Sequence, residues 1–462
     1  MNLASLRKRI EGRVTTSTDD DYDELRRRMV WNQRTPARYP QLIVQVRTEQ
    51  DVVETVRFAG AEGMTVSVRS GGHNWIGSPL RDESLLIDLG QLRDCSIDSQ
   101  TRLATIQPAV TGQELNDRLD RYSLAFPIGH CPTVPLGGYL LNGGLGWNSN
   151  RWGPACFSID AAKVVTAEGI LLSVDDRHHA DLLWAIRGSG AGFFGVVTQY
   201  RLKLYTAPRA IMTSTYFYPL EHVEEVGSWA GILAGQLPSD VELALFIVPA
   251  PSDLAGTSRP DTRFICMLSA TAFLETEREA AAALGNLDHC PVSQQCLARA
   301  VNQPATFSSL LSRGHRFWPE RHRYVADALW SDLSPSQSLA VTRAHFLRAP
   351  SPLSLALCSF TTGNTTDPSK FPDAAFSMSA RTLLLSYAIW ETDRQDEANV
   401  EWHRELVTDL EQFAVGRYAG ESDFIAMPAY VERSFARTNW ERLQSIRQVY
   451  DPAHRFHGFF NR

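Results

Sequence analysis

VSVRSGGHNWIGSPL, residues 66 to 80, reads as a strand that runs straight into a glycine loop carrying a histidine. Gly71 and Gly72 have no side chains, so the amides of such a loop can approach a bound anion closely. His73 would then lie beside whatever is bound. The same residues also suit a tight turn with a polar histidine in the core.

Upstream, Leu42 to Val46 is an apolar strand candidate. Thr48 and Asp51 resemble a capping box, and Val52, Val53 and Val56 give the helix behind it an apolar face. The unit is strand, helix, strand, ending in the glycine loop. Downstream, Leu85 to Leu89 and Leu103 to Ile106 read as strands and Gly112 to Leu119 as a helix. Lys163 to Val174 reads as a hairpin turning at Glu168 and Gly169.

A second segment, GHCPTVPLGGYLLNGGLGWNSNRWG (residues 129 to 153), holds Gly129, Gly137, Gly138, Gly143, Gly144, Gly146 and Gly153 inside an apolar stretch. That density implies backbone packed against something flat or anionic. A third, RGSGAGFFGVVT (residues 187 to 198), spells GxGxxG with Gly190, Gly192 and Gly195. A dinucleotide-binding turn needs a strand before this motif and a helix after it, whereas here a helical ADLLWAIRG precedes and an alternating YRLKLY follows. A Rossmann NAD site is therefore rejected.

A chain of 462 residues exceeds what one core supports, so two domains are expected. With 44% hydrophobic and 21% charged residues it is ordinary globular material. The net charge of -7 has no acidic or basic block behind it, which argues against nucleic acid as a partner. No stretch is apolar enough for a signal h-region or a membrane span, so the expected location is the cytoplasm. The seven cysteines are widely spread without a CxxC pair, which suits neither a disulfide framework nor a zinc site.

After Pro208 the texture changes to strand runs such as Glu242 to Val248, Phe264 to Leu268 and Leu383 to Ile389, the mark of a sheet domain with helices on one side. The last stretch contains an amphipathic helix with Leu443, Ile446 and Val449 on one face, stopped by Asp451 and Pro452 and packing back on the first domain.

Taken together, RSGGH, CPTVxxGGxxxxGGxG, DLLWAIRGxGxxFGVVT and NWERLxxIRxxYDPxxxF resemble the berberine-bridge-enzyme branch of the vanillyl-alcohol-oxidase superfamily. The resemblance covers nearly the whole chain, densest over residues 40 to 205 and 430 to 456. It implies an α+β, two-domain PCMH-type FAD-binding fold. Residues 1–208 and 416–462 would form the FAD-binding domain, and residues 209–415 an inserted substrate domain on an antiparallel sheet with helices on one side.

By the same resemblance the FAD is bicovalent, joined through His73 to the flavin 8α-methyl and through Cys131 to C6. Its other contacts would be Val68, Arg69, Ser70, Gly71, Gly72, Asn74, Gly129, His130, Thr133, Gly137, Gly138, Asn142, Gly143, Gly144, Gly195, Val196 and Val197. Val134 would lie near C4a, where a small side chain accompanies reaction with molecular oxygen. Family members often carry a YxNY-like stretch before the last helix, whose first tyrosine activates the substrate. Tyr430 is matched to it here, with Glu432 in reserve and Arg433 as a cation to stabilise a phenolate.

The implied enzyme is an oxidase that takes hydride from a CH-OH or CH-NH group of a small molecule and yields hydrogen peroxide. The alternatives are a dehydrogenase with another acceptor and a catalytically silent flavin-binding protein. Phe157, Ser158 and Leu145 depart from the family pattern around the substrate pocket, and the chain ends without the usual tail.

Overall fold

Buried apolar runs in the first two hundred residues form two sheets in the computed structural model, which describes residues 2–251, 263–363 and 372–459. In the first sheet, Leu42–Gln45, Leu85–Asp88 and Val66–Arg69 lie parallel in that order, with Arg13–Thr16 added antiparallel at the Leu42 side. Parallel strands need a crossover, and the helix Glu49–Ala61 supplies one. Thr48 caps it by accepting from the Asp51 amide, and Val52, Val53 and Val56 are buried in the core beneath.

The second sheet is antiparallel, in the order Cys95–Asp98, Leu103–Ile106, Val196–Lys203, Ile159–Val165, Leu171–Val174. It includes the hairpin expected around Glu168 and Gly169, with Gly169 at a φ of 71° in its turn. The helix Ala180–Ile186 precedes the GxGxxG glycines and the strand Val196–Lys203 follows them, the order that excluded a Rossmann turn.

From Ala210 to Arg417 the chain builds one eight-stranded antiparallel sheet. Its order is Ala298–Ala305, Ala210–Pro219, Phe264–Leu274, Val241–Pro249, Leu355–Phe360, Thr382–Trp390, Arg323–Ser331, Gly416–Arg417. Successive strand residues point to opposite faces, and here the two faces do different work. Leu243, Leu245, Leu268 and Leu384 form a core with the helices Val223–Ala234, Glu277–Leu284, Pro335–Phe346 and Asp396–Leu410. Phe246, Leu357, Leu385 and Tyr387 face the other way, toward the first two sheets.

Gly416–Arg417 pairs with Trp330 and Leu329 as the edge strand of this sheet, so the boundary expected at residue 416 falls one short strand too early. The chain then returns through the helix Arg437–Tyr450. Leu443 and Ile446 are buried in the core of the second sheet, a contribution of roughly 1.5–3 kcal/mol each. Val449, expected on the same face, is 70% exposed. Six positions beyond Leu443 is about 120° around an α-helix, and Tyr450 occupies the inward position instead, its hydroxyl donating to Asp181 at 3.0 Å. Phe456 then bridges Val66 in parallel, and Arg455 donates to the carbonyls of Ala59 and Met64, so the tail is fastened to the strand that opens the glycine loop. No helix among the described residues is long and apolar enough to cross a membrane.

Candidate active site

The glycine loop of the first sheet and the inner face of the eight-stranded sheet enclose a cavity of about 990 Å³. Its first wall is the loop after Val66–Arg69. Arg69 is held at 2.6 Å by Asp88 on the neighbouring strand, and the chain turns at Gly72 with a φ of 72°. A Cβ on Gly72 would lie 2.2 Å from the Met29 carbonyl oxygen, so only glycine fits.

The amides of Gly71, Gly72, His73 and Asn74 donate no hydrogen bond among the described residues, although all four residues line the cavity. Consecutive unpaired amides are costly to leave dry and form a cradle for an anion. Further cavity-lining residues carry orphaned buried polar atoms, among them Asn142 Oδ1 and His457 Nε2. Donors in a row, unpaired polar atoms along one wall, and an imidazole and a thiol on the same cavity fit a bound FAD.

Thr133 brings that imidazole and that thiol together. Its backbone bonds to His73, and its Oγ1 lies 3.5 Å from Cys131 Sγ. Burial lowers His73 to about 4, helped by the charge of Arg69 and opposed by the Thr133 bond, so the ring is neutral at neutral pH. Burial pushes the Cys131 thiol up, against the pull of the Thr133 hydroxyl and backbone. Trp31 stacks on His73 with ring centroids 5.0 Å apart.

Most residues named from the sequence meet here. Val68 to Asn74, Gly129, His130, Cys131, Val134, Gly137, Gly138, Asn142, Gly195 and Val197 line the cavity; Thr133, Gly143, Gly144 and Val196 do not. Val196 is fully buried behind the wall. Gly143 and Gly144, at φ of 97° and 76°, pack on the rings of Phe376 and Tyr139. The flat partner that the glycine density implied is, at those two positions, the chain's own aromatic side chains.

The second wall comes from the eight-stranded sheet and the loop after Gly416–Arg417. Glu421 is the centre of it. Trp75 Nε1 donates to Glu421 Oε2, and the Tyr387 hydroxyl donates to the same oxygen at 3.3 Å, while Oε1 has no partner among the described residues. Burial raises this carboxyl to about 7, against the two donors. Tyr418 lines the same cavity with its hydroxyl held by the backbone of Leu145 and Gly144, and burial keeps both its phenol and that of Tyr387 well above the usual range.

A buried ion pair fixes this loop. Arg417, fully buried, reaches Asp327 at 2.5 Å and also pairs with Glu411. Asp327 accepts from the Asp423 amide at 3.3 Å, and Ser422 donates to the Ala328 carbonyl at 3.2 Å. Removing either partner of a pair so deep leaves an uncompensated charge, at a cost of about 3–5 kcal/mol.

Tyr430 and Glu432 lie elsewhere: neither lines the cavity, and Glu432 is exposed. The guanidinium groups of Arg417 and Arg433 sit over the Tyr430 ring, 4.6 and 5.5 Å from its centroid, so the cations meet the π face rather than stabilise a phenolate. The spacing of the YxNY-like stretch is met earlier, at Tyr418 to Glu421, with Gly420 in place of the asparagine and a carboxylate in place of the second tyrosine. Cys156 is fully buried away from the cavity, its thiol pushed far up by burial.

Residues 40–175 match the model of an FAD binding domain. Over 446 residues the chain is 30% identical to the FAD-linked oxidoreductase ptmO of Penicillium ochrochloron, covering 96% of this chain and 95% of that protein. Its fold is shared by 6-hydroxy-D-nicotine oxidase from Arthrobacter nicotinovorans, with a TM-score of 0.83 at 20% identity over 98% of both chains. It is also shared by berberine bridge enzyme from Eschscholzia californica, with a TM-score of 0.82 at 19% identity over 99% of this chain and 98% of that one.

Proposed function

Since the chain belongs to the FAD-linked oxidoreductases of the berberine-bridge-enzyme-like family, we propose that it is an oxidase of a CH-OH or CH-NH group in a small molecule, with molecular oxygen as final electron acceptor. The observation that carries this reading is Glu421, an enclosed carboxylate with one free oxygen on the cavity that also holds His73 and Cys131.

Bound FAD supplies the hydride acceptor. Glu421 does the proton work: a base operates best with a pKa near the working pH, and at about 7 it meets that condition while the neighbouring phenols do not. Trp75 and Tyr387 hold Oε2, which leaves Oε1 to take the proton of the substrate hydroxyl or amine. The amides of Gly71 to Asn74 would hold the pyrophosphate.

His73 is the candidate for attachment at the 8α position, because a neutral imidazole keeps a nucleophilic lone pair. Cys131 is the candidate for C6, and its raised thiol must first lose a proton to react. Val134 lines the cavity with a short side chain that leaves room for oxygen.

The test is to mix the holoenzyme anaerobically with a panel of alcohols and amines, follow bleaching of the flavin band, then admit air and assay peroxide. Bleaching followed by stoichiometric peroxide is expected. Bleaching that persists in air would make the protein a dehydrogenase, and no bleaching with any donor would make it a silent binding protein.

A further inference from the structure

We propose that Trp31 and Asn32 are positioning residues for attachment of the flavin at His73: Asn32 docks the start of the strand Arg323–Ser331 onto the glycine-loop side, and Trp31, placed by that docking, holds the His73 imidazole for reaction. This rests on the tether proposed above and names what prepares it. Attachment at His73 then depends on the two walls of the cavity having met.

The first support is an open strand edge. Arg323–Ser331 is paired along its whole length on one side by Thr382–Trp390, while on the other side Gly416–Arg417 meets it at Leu329 and Trp330. Its even-numbered residues turn their backbone groups to that second side, since the Trp330 carbonyl accepts from the Val415 amide and the Ala328 carbonyl from the Tyr418 amide. Tyr324, fully buried, therefore points an amide and a carbonyl at an edge that no strand among the described residues covers. Buried backbone groups need partners.

The second support is the side chain that closes this edge. Asn32 Oδ1 accepts from the Tyr324 amide at 3.0 Å, and Asn32 Nδ2 donates to the Tyr324 carbonyl at 2.9 Å and to the Trp75 carbonyl at 2.8 Å. One side-chain amide replaces the missing strand and ties it to the segment after the glycine loop. Asn32 is 1% exposed, so water does not compete for these bonds. The seam continues where the Gln33 amide donates to the His322 carbonyl at 3.1 Å and Arg323 donates to the Gln33 carbonyl at 3.0 Å.

The third is what the seam carries. Trp31 donates its backbone amide to the Gly72 carbonyl at 2.9 Å, and its ring stacks on His73 with planes 24° apart. The same ring packs on Tyr324 at 5.3 Å and on Trp75 at 5.7 Å between centroids. With the Thr133 backbone bonded to it and Trp31 stacked on it, the His73 ring is held in one orientation. Orientation of this kind governs rate, since a misplacement of roughly 1 Å can cost on the order of a hundredfold. Cys131 is packed from another quarter, by Gly314 of the helix Phe307–Phe317, so it serves as the control.

The attachment balances. A C–H bond of the flavin 8α-methyl breaks and its proton leaves, while the His73 nitrogen forms the new C–N bond and the imidazole gives up its N–H proton. The two electrons left from the C–H bond pass to molecular oxygen, which takes up two protons and leaves as hydrogen peroxide.

For the test, the full-length apoprotein is made in flavin-depleted cells, FAD is added in air, and covalent flavin is followed in time by intact mass. Two backgrounds separate the tethers: Cys131→Ala reports His73 alone, and His73→Ala reports Cys131 alone. In the first, Asn32→Leu and Trp31→Leu should each slow attachment about tenfold or more, while Trp31→Phe, which keeps a ring, should stay within about threefold. In the second, the same variants should change the rate less than about threefold, and so should the Kd for FAD in a protein lacking both tethers, read from quenching of flavin fluorescence. Equal slowing in both backgrounds overturns the proposal, as does no slowing in the first or a Trp31→Phe variant as slow as Trp31→Leu. If Asn32→Leu does not accumulate, the two Trp31 variants decide. If the Cys131→Ala protein gains no covalent flavin yet is bleached by a donor and yields peroxide in air, this proposal fails and the oxidase reading stands.

Discussion

The two walls of the cavity are built in opposite ways. The glycine-loop wall is largely local: residues 68 to 74 and 129 to 142 contribute two short segments of it, through backbone and small side chains. The sheet wall is assembled from single side chains far apart in sequence, Trp75, Glu242, Trp318, Tyr387 and Glu421. Backbone amides can hold any pyrophosphate, so the first wall fixes a cofactor. The second carries the charge and ring faces that a particular substrate would meet, which makes it the wall of chemistry and selectivity.

The largest effect that separates the walls is expected from Glu421→Gln. It keeps the shape and both donors to Oε2 but removes the base, so anaerobic flavin reduction by a good donor should slow about 10²–10⁴-fold while FAD content stays at the wild-type level. In the wild type the rate of reduction should rise with pH through about 7 as the carboxyl ionises, and that rise should vanish in the variant. The groups packed around it, Trp75, Tyr387 and Tyr418, do not titrate in that window. A variant that reduces its flavin at the wild-type rate would return the base to another residue.

Legibility in the sequence follows the same division. The strand, helix, strand unit and the glycine loop with His73 were readable because each depends on neighbours within a few positions, whereas Cys131 was singled out by the family resemblance alone. Three strands of the eight-stranded sheet, around Glu242 to Val248, Phe264 to Leu268 and Leu383 to Ile389, were readable too as apolar runs. Glu421 was not, because its role comes from Trp75 Nε1 and the Tyr387 hydroxyl, which lie 346 and 34 positions away. Tyr430 was chosen for its place before the last helix, and no local signal tells that Arg417 and Arg433 cover its ring. Val449 failed for a simpler reason: positions three and six beyond Leu443 drift around the helix, whereas the seventh, Tyr450, returns to the face.

On the local wall, the tethers come next. His73→Ala and Cys131→Ala should each keep covalent flavin, and only the double variant should lose it, as read from the colour of acid-precipitated protein. Between the singles, Cys131→Ala should mature faster, since the imidazole is already neutral whereas the buried thiol must first lose a proton. A colourless precipitate from either single variant would reduce the protein to one tether.

Gly314 tests whether the walls are coupled. The helix Phe307–Phe317, from the sheet side, presses Gly314 against the Cys131 segment, and a Cβ there would lie 2.3 Å from the His130 carbonyl oxygen and 3.7 Å from the Cys131 Cα. Alanine favours a helix over glycine by about 1 kcal/mol, so the substitution should fold, at the expense of a shift in the His130 and Cys131 backbone. In the His73→Ala background, where Cys131 is the remaining tether, adding Gly314→Ala should lower the covalent fraction measured by intact mass. An unchanged fraction would mean that the helix yields instead of the loop.

The smallest effect is expected at Val134, which lines the cavity three positions after Cys131 and whose carbonyl accepts from the Gly112 amide at 3.1 Å. With the backbone pinned in this way, a longer side chain has to extend into the cavity. Val134→Leu adds one methylene, a change a packed site absorbs for about 1–3 kcal/mol or less where open space adjoins. Reoxidation of the reduced flavin by air should slow about threefold to tenfold, up to ~1.4 kcal/mol in barrier, because oxygen must pass the added group. Reduction by substrate, which depends on Glu421 and the sheet wall, should change little. Stopped-flow reoxidation of pre-reduced enzyme at several oxygen concentrations measures the first rate, and anaerobic mixing measures the second. If both rates fall together, Val134 supports the cavity as a whole. If wild type and variant reoxidise equally slowly, oxygen is not the acceptor, and the local wall decides nothing beyond holding the cofactor.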